Sequence, residues 1–213
     1  MDNLDQISER IHEAFASRTA ARETALAQAR TLVRHCANAI RAVHRSERQL
    51  AAQELQTAAD LARQLQSNLS NFPDIYFEGY TQDALKEYAE ACIVYTLTAD
   101  EHLPNPEDLG LEYATYLKGM AEAVGELRRR CLDDLRLEKS QDAEKVLAYM
   151  DDIFAVLITM DYPDAITGGL RRLTDIARSL IERTRGDLTL SLRQEKLEQR
   201  LRHLEQKLDQ YSP

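Results

Sequence analysis

Apolar residues return every three or four positions along almost the whole chain, with polar residues filling the gaps. That period belongs to the α-helix rather than to the alternation of a strand. Leu4, Ile7, Ile11 and Phe15, then Leu26, Ala29, Val33, Cys36, Ile40 and Val43, predict one long helix to about Arg45. Ser46 with Gln49 fits the S-x-x-Q capping box, which predicts a restart into a second helix. That helix carries Leu50, Leu55, Ala58, Ala62, Leu65 and Leu69 and ends at Asn71, Phe72 and Pro73. A third is predicted over about 74–100, and the stretch E-H-L-P-N-P-E-D-L-G, Glu101 to Gly110, reads as a loop. The fourth covers about 111–137, with Tyr113, Tyr116, Met120, Val124, Leu127 and Cys131 on one face. A fifth spans about 141–160, and a sixth runs from after Pro163 to just before Gly186. The last, over about 188–210, is highly charged, with the narrow stripe Leu190, Leu197, Leu201, Leu204 and Leu208. Such a stripe cannot fill a core alone, so it predicts packing on a neighbour or on another subunit.

The pattern therefore predicts an all-α fold of six or seven long helices, with no internal repeat and no low-complexity segment. The expected organisation is one domain over 1–213: an N-terminal helical pair (1–72), a motif-bearing core (73–186) and a charged C-terminal helix (187–213). Composition agrees. Only 7 Gly and 5 Pro interrupt 213 residues, there is no Trp, and Ala, Leu, Glu, Arg and Gln dominate. The three cysteines, Cys36, Cys92 and Cys131, form no C-x-x-C pair. A chain of this size needs no disulfide framework, so they are expected as core residues in a reducing compartment. MDNLDQISER is charged from its second residue and has no apolar h-region, and no apolar run approaches a membrane span. A cytoplasmic protein with no membrane partner is expected.

Charge changes the picture more. The net charge of −9, taken whole, argues against nucleic acid. Its distribution is uneven. Residues 1–70 carry nine Arg, no Lys and eight acids; residues 71–126 carry two Lys and twelve acids, a net of −10. Residues 127–213 balance sixteen basic against sixteen acidic residues.

Within the acidic segment, E-Y-A-E-A places Glu87 and Glu90 at i, i+3, and A-E-A-V-G-E-L places Glu122 and Glu126 at i, i+4. Each pair lies on one side of its own helix. A ten-residue connection suggests an antiparallel hairpin of these two helices, with the pairs at depths of roughly 17 and 20 Å from the turn. Four facing carboxylates would repel one another unless a cation sits between them, and an all-oxygen set suits Mg²⁺ or Mn²⁺. Such a metal can activate water and stabilise a phosphodiester displacement. The same spacing is also the ordinary pattern of a solvated face, and Glu122 and Glu126 lie off the Met120–Val124–Leu127 stripe. The small residues Gly119, Ala121 and Gly125 permit another backbone to come close. Arg128, Arg129 and Arg130 follow directly and could hold phosphates or form a solvated or intersubunit charge cluster. Glu9 and His12 form a lone E-x-x-H, short of the two copies a di-iron site needs, and are expected to face solvent. There is no P-loop, no G-x-G-x-x-G and no Ser/His/Asp arrangement above chance.

At K-E-Y-A-E-A (86–91), Y-L-K-G-M-A-E-A-V-G-E-L-R-R-R-C (116–131) and E-R-T-R-G (182–186), the chain resembles the translin family, in particular its translin-associated factor X branch. The resemblance covers roughly 75–186. It implies a seven-helix fold assembling into a hollow, roughly octameric barrel that binds single-stranded RNA and DNA. The factor X branch implies a Mg²⁺-dependent endoribonuclease with acidic residues facing the barrel interior. Carried onto this chain, Glu87 and Glu90 match the E-Y-x-E pair, Glu122 stands where that branch has Asp, and Glu126 is the Glu of G-E-L. The basic His- and Arg-containing stretch of the translin branch is absent from 74–88. The resulting expectation is an endoribonuclease in a homo-oligomer, with Glu87, Glu90, Glu122 and Glu126 as metal-binding and catalytic residues. Arg128, Arg129, Arg130, Arg183 and Arg185 are expected at the nucleic acid. A non-catalytic RNA- or DNA-binding oligomer, a nucleotide pyrophosphohydrolase using E-x-x-E helices with Mg²⁺, and a purely structural assembly protein are the rival readings.

Overall fold

The computed structural model describes the backbone of residues 2–211 and the side chains of residues 3–207. All regular structure among them is helical. Six long helices are α1 (Asp2–His44), α2 (Arg48–Asn68), α4 (Gly79–Leu97), α6 (Tyr113–Arg136), α7 (Ser140–Leu157) and α9 (Leu170–Tyr211). Three single turns separate them: α3 (Pro73–Tyr76), α5 (Pro106–Leu109) and α8 (Asp164–Thr167). Among the described residues no helix is long and apolar enough to cross a membrane. By internal contacts the chain divides into two compact units, 1–120 and 121–213, and the division falls inside the unbroken α6.

The first unit is built on the second half of α1. Its buried stripe, Ala25, Ala29, Leu32, Cys36, Ala39 and Val43, lies on α2 and α4. The first half is different: Leu4, Ile7, Ile11 and Phe15 are exposed, so their spacing reports helix but not burial. His35 Nδ1 and Glu54 Oε2, 2.6 Å apart, tie α1 to α2. On α4, Ala84, Leu85, Ala89, Ile93 and Val94 are buried, so this helix is apolar on most sides.

Several local expectations change. The Ser46 capping box does not form. Ser46 instead takes φ 59°, its N–H bonds Val43 O at 2.9 Å, and Glu47 N–H bonds Ala42 O at 2.9 Å. This paired closure is the Schellman ending of α1, with serine in the left-handed position usually held by glycine. Asp100 and Glu138 close the ends of α4 and α6 in the same way, with φ 59° and 58°. The predicted third helix is two pieces. The chain breaks at Phe77 and Glu78, and side chains of α4 serve the freed carbonyls of α3: Thr81 Oγ1 donates to Ile75 O at 3.0 Å and Gln82 Nε2 to Tyr76 O at 2.8 Å. The predicted 101–110 loop contains the turn α5, stopped by Gly110 at φ 67°.

The antiparallel hairpin of α4 and α6 is also overturned. Thr115 Oγ1 donates to Gln82 Oε1 at 2.6 Å, and Gly119 lies against Lys86, Ala89 and Glu90. Contacting positions rise together, so α4 and the start of α6 run in the same sense. Residues 98–112 double back along α4, held by Tyr116 Oη donating to Pro104 O and Gln66 Nε2 donating to Gly110 O.

In the second unit, α7 and α8 pack on α9. Ala143, Val146, Met150 and Ile153 on α7 and Leu170, Ala177, Ile181 and Leu188 on α9 are buried. The break expected at Gly186 is absent and α9 continues for 42 residues. One interior glycine costs only about 1 kcal/mol, and buried Thr184 and Leu188 hold the helix on either side of it. Beyond them the stripe Leu190, Leu197, Leu201 and Leu204 is exposed; Leu208 falls outside the described side chains.

All three cysteines are free and buried, as core residues should be. Burial pushes the Cys92 thiol up to about 12 and that of Cys131 up to about 11. Burial also raises Cys36, with Cys92, Glu87 and Glu90 adding to it. The folded chain thus keeps these protons well above the ordinary thiol value near about 8.5. The stability this contributes is complete below that ordinary value and is lost as pH climbs through the folded values. An alkaline series of urea denaturation curves should therefore show midpoints falling between about pH 9 and 12. A thiol reagent at about pH 8 should label none of the three before unfolding.

Candidate metal centre

Gly119 sets the spacing on which the acidic site depends. A Cβ at this position would lie 2.7 Å from Lys86 O, 2.7 Å from Ala89 Cβ and 3.0 Å from Glu90 N. Only glycine lets α6 come this near α4 at that level. Gly125 has no such role, because its nearest neighbour would be Leu180 Cδ1 at 4.0 Å. Glu122 follows Gly119 by three residues on the same continuous helix, so it points from the same face of α6, almost one turn further on.

Glu87, Glu90 and Glu122 each offer a carboxylate oxygen, and these atoms lie within 4.8 Å of one another. Glu90 is buried at 8% exposure, whereas Glu87 and Glu122 are half-buried. Three acids this close form a cluster that can hold a metal ion. Lys86, which the sequence reading passed over although it adjoins Glu87, places Nζ 3.5 Å from Glu87 Oε1 and offsets part of the charge. Buried Cys36 of α1 lies near enough to Glu87 and Glu90 to feel their charge, and Tyr88 and Cys92 are buried on α4 itself. Burial, followed by the neighbouring Cys92, raises the Tyr88 hydroxyl far above its ordinary range, so it stays protonated.

Glu126 stands outside this group of three. It is one turn further along α6, about 6 Å on, with its Oε2 4.0 Å from Arg129 Nη1. The arginines divide into two kinds. Arg128 donates to Thr184 Oγ1 at 2.8 Å and to Asp187 Oδ2 at 2.9 Å. Arg130 Nε donates to the buried Asp134 at 2.8 Å, and Arg185 holds both oxygens of Asp151 at 2.7 and 2.9 Å. Arg128 thus ties α6 to α9 and Arg185 ties α9 to α7, whereas the Arg130–Asp134 pair lies within α6. Arg129 and Arg183 are exposed. Glu9 and His12 are exposed too, as expected.

No family model matches the chain. A protein of Methanocaldococcus jannaschii described as uncharacterised is 29% identical over 198 residues, spanning 92% of this chain and 87% of its own length. Two solved structures of AfC3PO, one of them a complex with duplex RNA, superpose with TM-scores of 0.79 and 0.78 at 32% and 31% identity. Both alignments cover 89% of this chain and 96% of the AfC3PO chain. Apo-NeC3PO, at 19% identity, shares the fold with a TM-score of 0.78 over 90% of this chain and 98% of its own. Helices and acidic cluster together define an all-α protein of the C3PO type. The chain belongs to the translin family.

Proposed function

We propose that this chain is a Mg²⁺-dependent endoribonuclease that binds RNA and works as a homo-oligomer. The observation that carries the reading is the approach of Glu87, Glu90 and Glu122 to within 4.8 Å of one another. Oxygens on opposite sides of a six-coordinate Mg²⁺ are about 4.2 Å apart, so small side-chain movements would bring the three onto one ion. The donor set fits as well: carboxylate oxygens alone suit Mg²⁺ or Mn²⁺ and not a soft metal. When bound, such an ion supplies a Lewis acid that activates water and stabilises the charge of a phosphodiester displacement.

The remaining work belongs to the chain. Glu90, buried, is the fixed ligand; Glu87 and Glu122, more exposed, can adjust, and Glu126 one turn further on completes the proposed acidic set. Arg129 and Arg183, both exposed, would meet RNA phosphates, while Arg128 and Arg185, held by Thr184, Asp187 and Asp151, would support the helices that carry them, and Arg130 is paired with Asp134 within α6. The similarity to AfC3PO, seen with duplex RNA, supports RNA as the partner and makes duplex as well as single-stranded RNA a necessary substrate in the test.

The test is cleavage of labelled single-stranded and duplex RNA with Mg²⁺ or with EDTA, by wild type and by Glu126→Ala. Cleavage is expected from the wild type with Mg²⁺ only, and is expected to be lost in the variant. Equal cleavage by both proteins, or none by either, would sink the nuclease reading. RNA binding that survives EDTA without cleavage would select a non-catalytic binding protein instead.

A further inference from the structure

The last stretch of α9 sorts its charges by face. Arg193, Lys196, Arg200, His203 and Lys207 recur at steps of three, four, three and four, one for every turn of the helix. At about 100° per residue they fall in one stripe about 80° wide, and no acidic residue lies within it. Glu198 and Glu205 lie almost directly opposite. Two acids of this stretch are occupied on their own side. Glu198 holds Arg202 Nη2 at 3.8 Å and accepts from the Gln194 amide at 3.2 Å, and Glu195 accepts from Ser140 Oγ at 2.7 Å. The five basic residues are all exposed, and none makes an ion pair among the described residues. Residues 127–213 balance their charges overall, so the sorting is a matter of position and not of composition. Like charges three and four residues apart weaken a helix, and interleaving them with glutamate would have removed that cost. An anion lying along the stripe offsets it instead.

We propose that this stripe holds the sugar–phosphate backbone of duplex RNA without reading its sequence. By helical rise the stripe is about 21 Å long, and one strand of a duplex presents a phosphate about every 3.4 Å of its axis. About six phosphates therefore face the five basic side chains. Long Lys and Arg side chains meet phosphates from such a surface, and the His203 imidazole adds an N–H donor. Residues 189–207 contain no Phe, Tyr or Trp. Capture of single strands relies on aromatic rings that stack the bases, so the stripe suits a backbone whose bases are already stacked on one another. Arg183 lies about 120° round α9 from the middle of the stripe, which makes this a contact surface separate from the arginines already assigned to RNA. The inference rests on the RNA-binding part of the proposed function and not on its chemistry.

The test is fluorescence anisotropy of a labelled duplex RNA with the full-length protein across a salt series, in EDTA, where binding is read apart from metal and cleavage. Lys196→Gln/Arg200→Gln/Lys207→Gln keeps helix propensity and removes three charges from exposed positions. It should weaken duplex binding by roughly tenfold or more at low salt and lower the slope of log affinity against log salt by at least about 2. Glu205→Gln, on the opposite edge, should not weaken binding. Sedimentation velocity should give the triple variant the wild-type mass. Unchanged affinity and slope in the triple variant would overturn the proposal. So would a lost affinity that comes with a smaller assembly, or stripe-dependent binding to phosphatidylserine vesicles with none to RNA. The nuclease reading is decided separately: a wild type that binds duplex RNA through the stripe and never cleaves it loses that reading and keeps this one.

Discussion

Alanine at Gly119 is expected to destabilise the protein by about 2 kcal/mol, and valine by clearly more. The added methyl would meet two main-chain atoms of α4, Lys86 O and Glu90 N, together with Ala89 Cβ. A flexible side chain could swing away from it; a helix backbone cannot. The net figure already includes about 1 kcal/mol that alanine gains over glycine in helix propensity, so the steric penalty itself is about 3 kcal/mol. For a chain of this length the melting temperature should fall by roughly 4 to 8 °C. Differential scanning calorimetry would show it, and a melting temperature within a degree of wild type would mean that α4 and α6 do not touch here. Mn²⁺ affinity, measured by calorimetric titration, should fall in the same variant, because Glu90 and Glu122 depend on that spacing.

Glu90→Gln should separate metal binding from folding. The substitution keeps shape and hydrogen-bonding capacity but removes one charge from a buried position among like charges. In EDTA each protein's own melting temperature sets its baseline, and the rise that Mn²⁺ adds above that baseline is the readout. Wild type should gain about 2.7 kcal/mol at a hundred times its Kd, whereas a variant binding at least tenfold more weakly gains correspondingly less. Equal Mn²⁺-induced shifts in the two proteins would remove Glu90 from the metal set.

The fold is legible in the sequence where one physical signal dominates. Periodicity located all six long helices, because each must bury one face, and burial is written in every third or fourth residue. Helix stops carry no such signal. Nothing about Ser46, Asp100 or Glu138 announces a left-handed residue, whereas Gly186, which does look like a stop, lies inside a helix held from both sides. The relative sense of α4 and α6 was also hidden. The length of a connection limits reach and says nothing of direction, and the chain uses 98–112 to return along α4. Of the acidic site, Glu87, Glu90 and Glu122 were legible because i, i+3 and i, i+4 spacing fixes a helix face. The position of Glu126 outside the close group follows from that same-sense arrangement. The bonds of Arg128 to Thr184 and Asp187 were not legible, because those partners are 56 and 59 positions away.

The three serine, aspartate and glutamate residues at positive φ have a meaning beyond the turns they make. A left-handed conformation costs a residue with a side chain on the order of 1 kcal/mol, which glycine would not incur. α1, α4 and α6 therefore each end in a small, removable strain, at residues other than the clustered carboxylates. This chain therefore carries recoverable strain in its connections. A lineage of this protein, or an engineer, could draw on those three turns for added stability, and then use it to tolerate costly changes among the carboxylates.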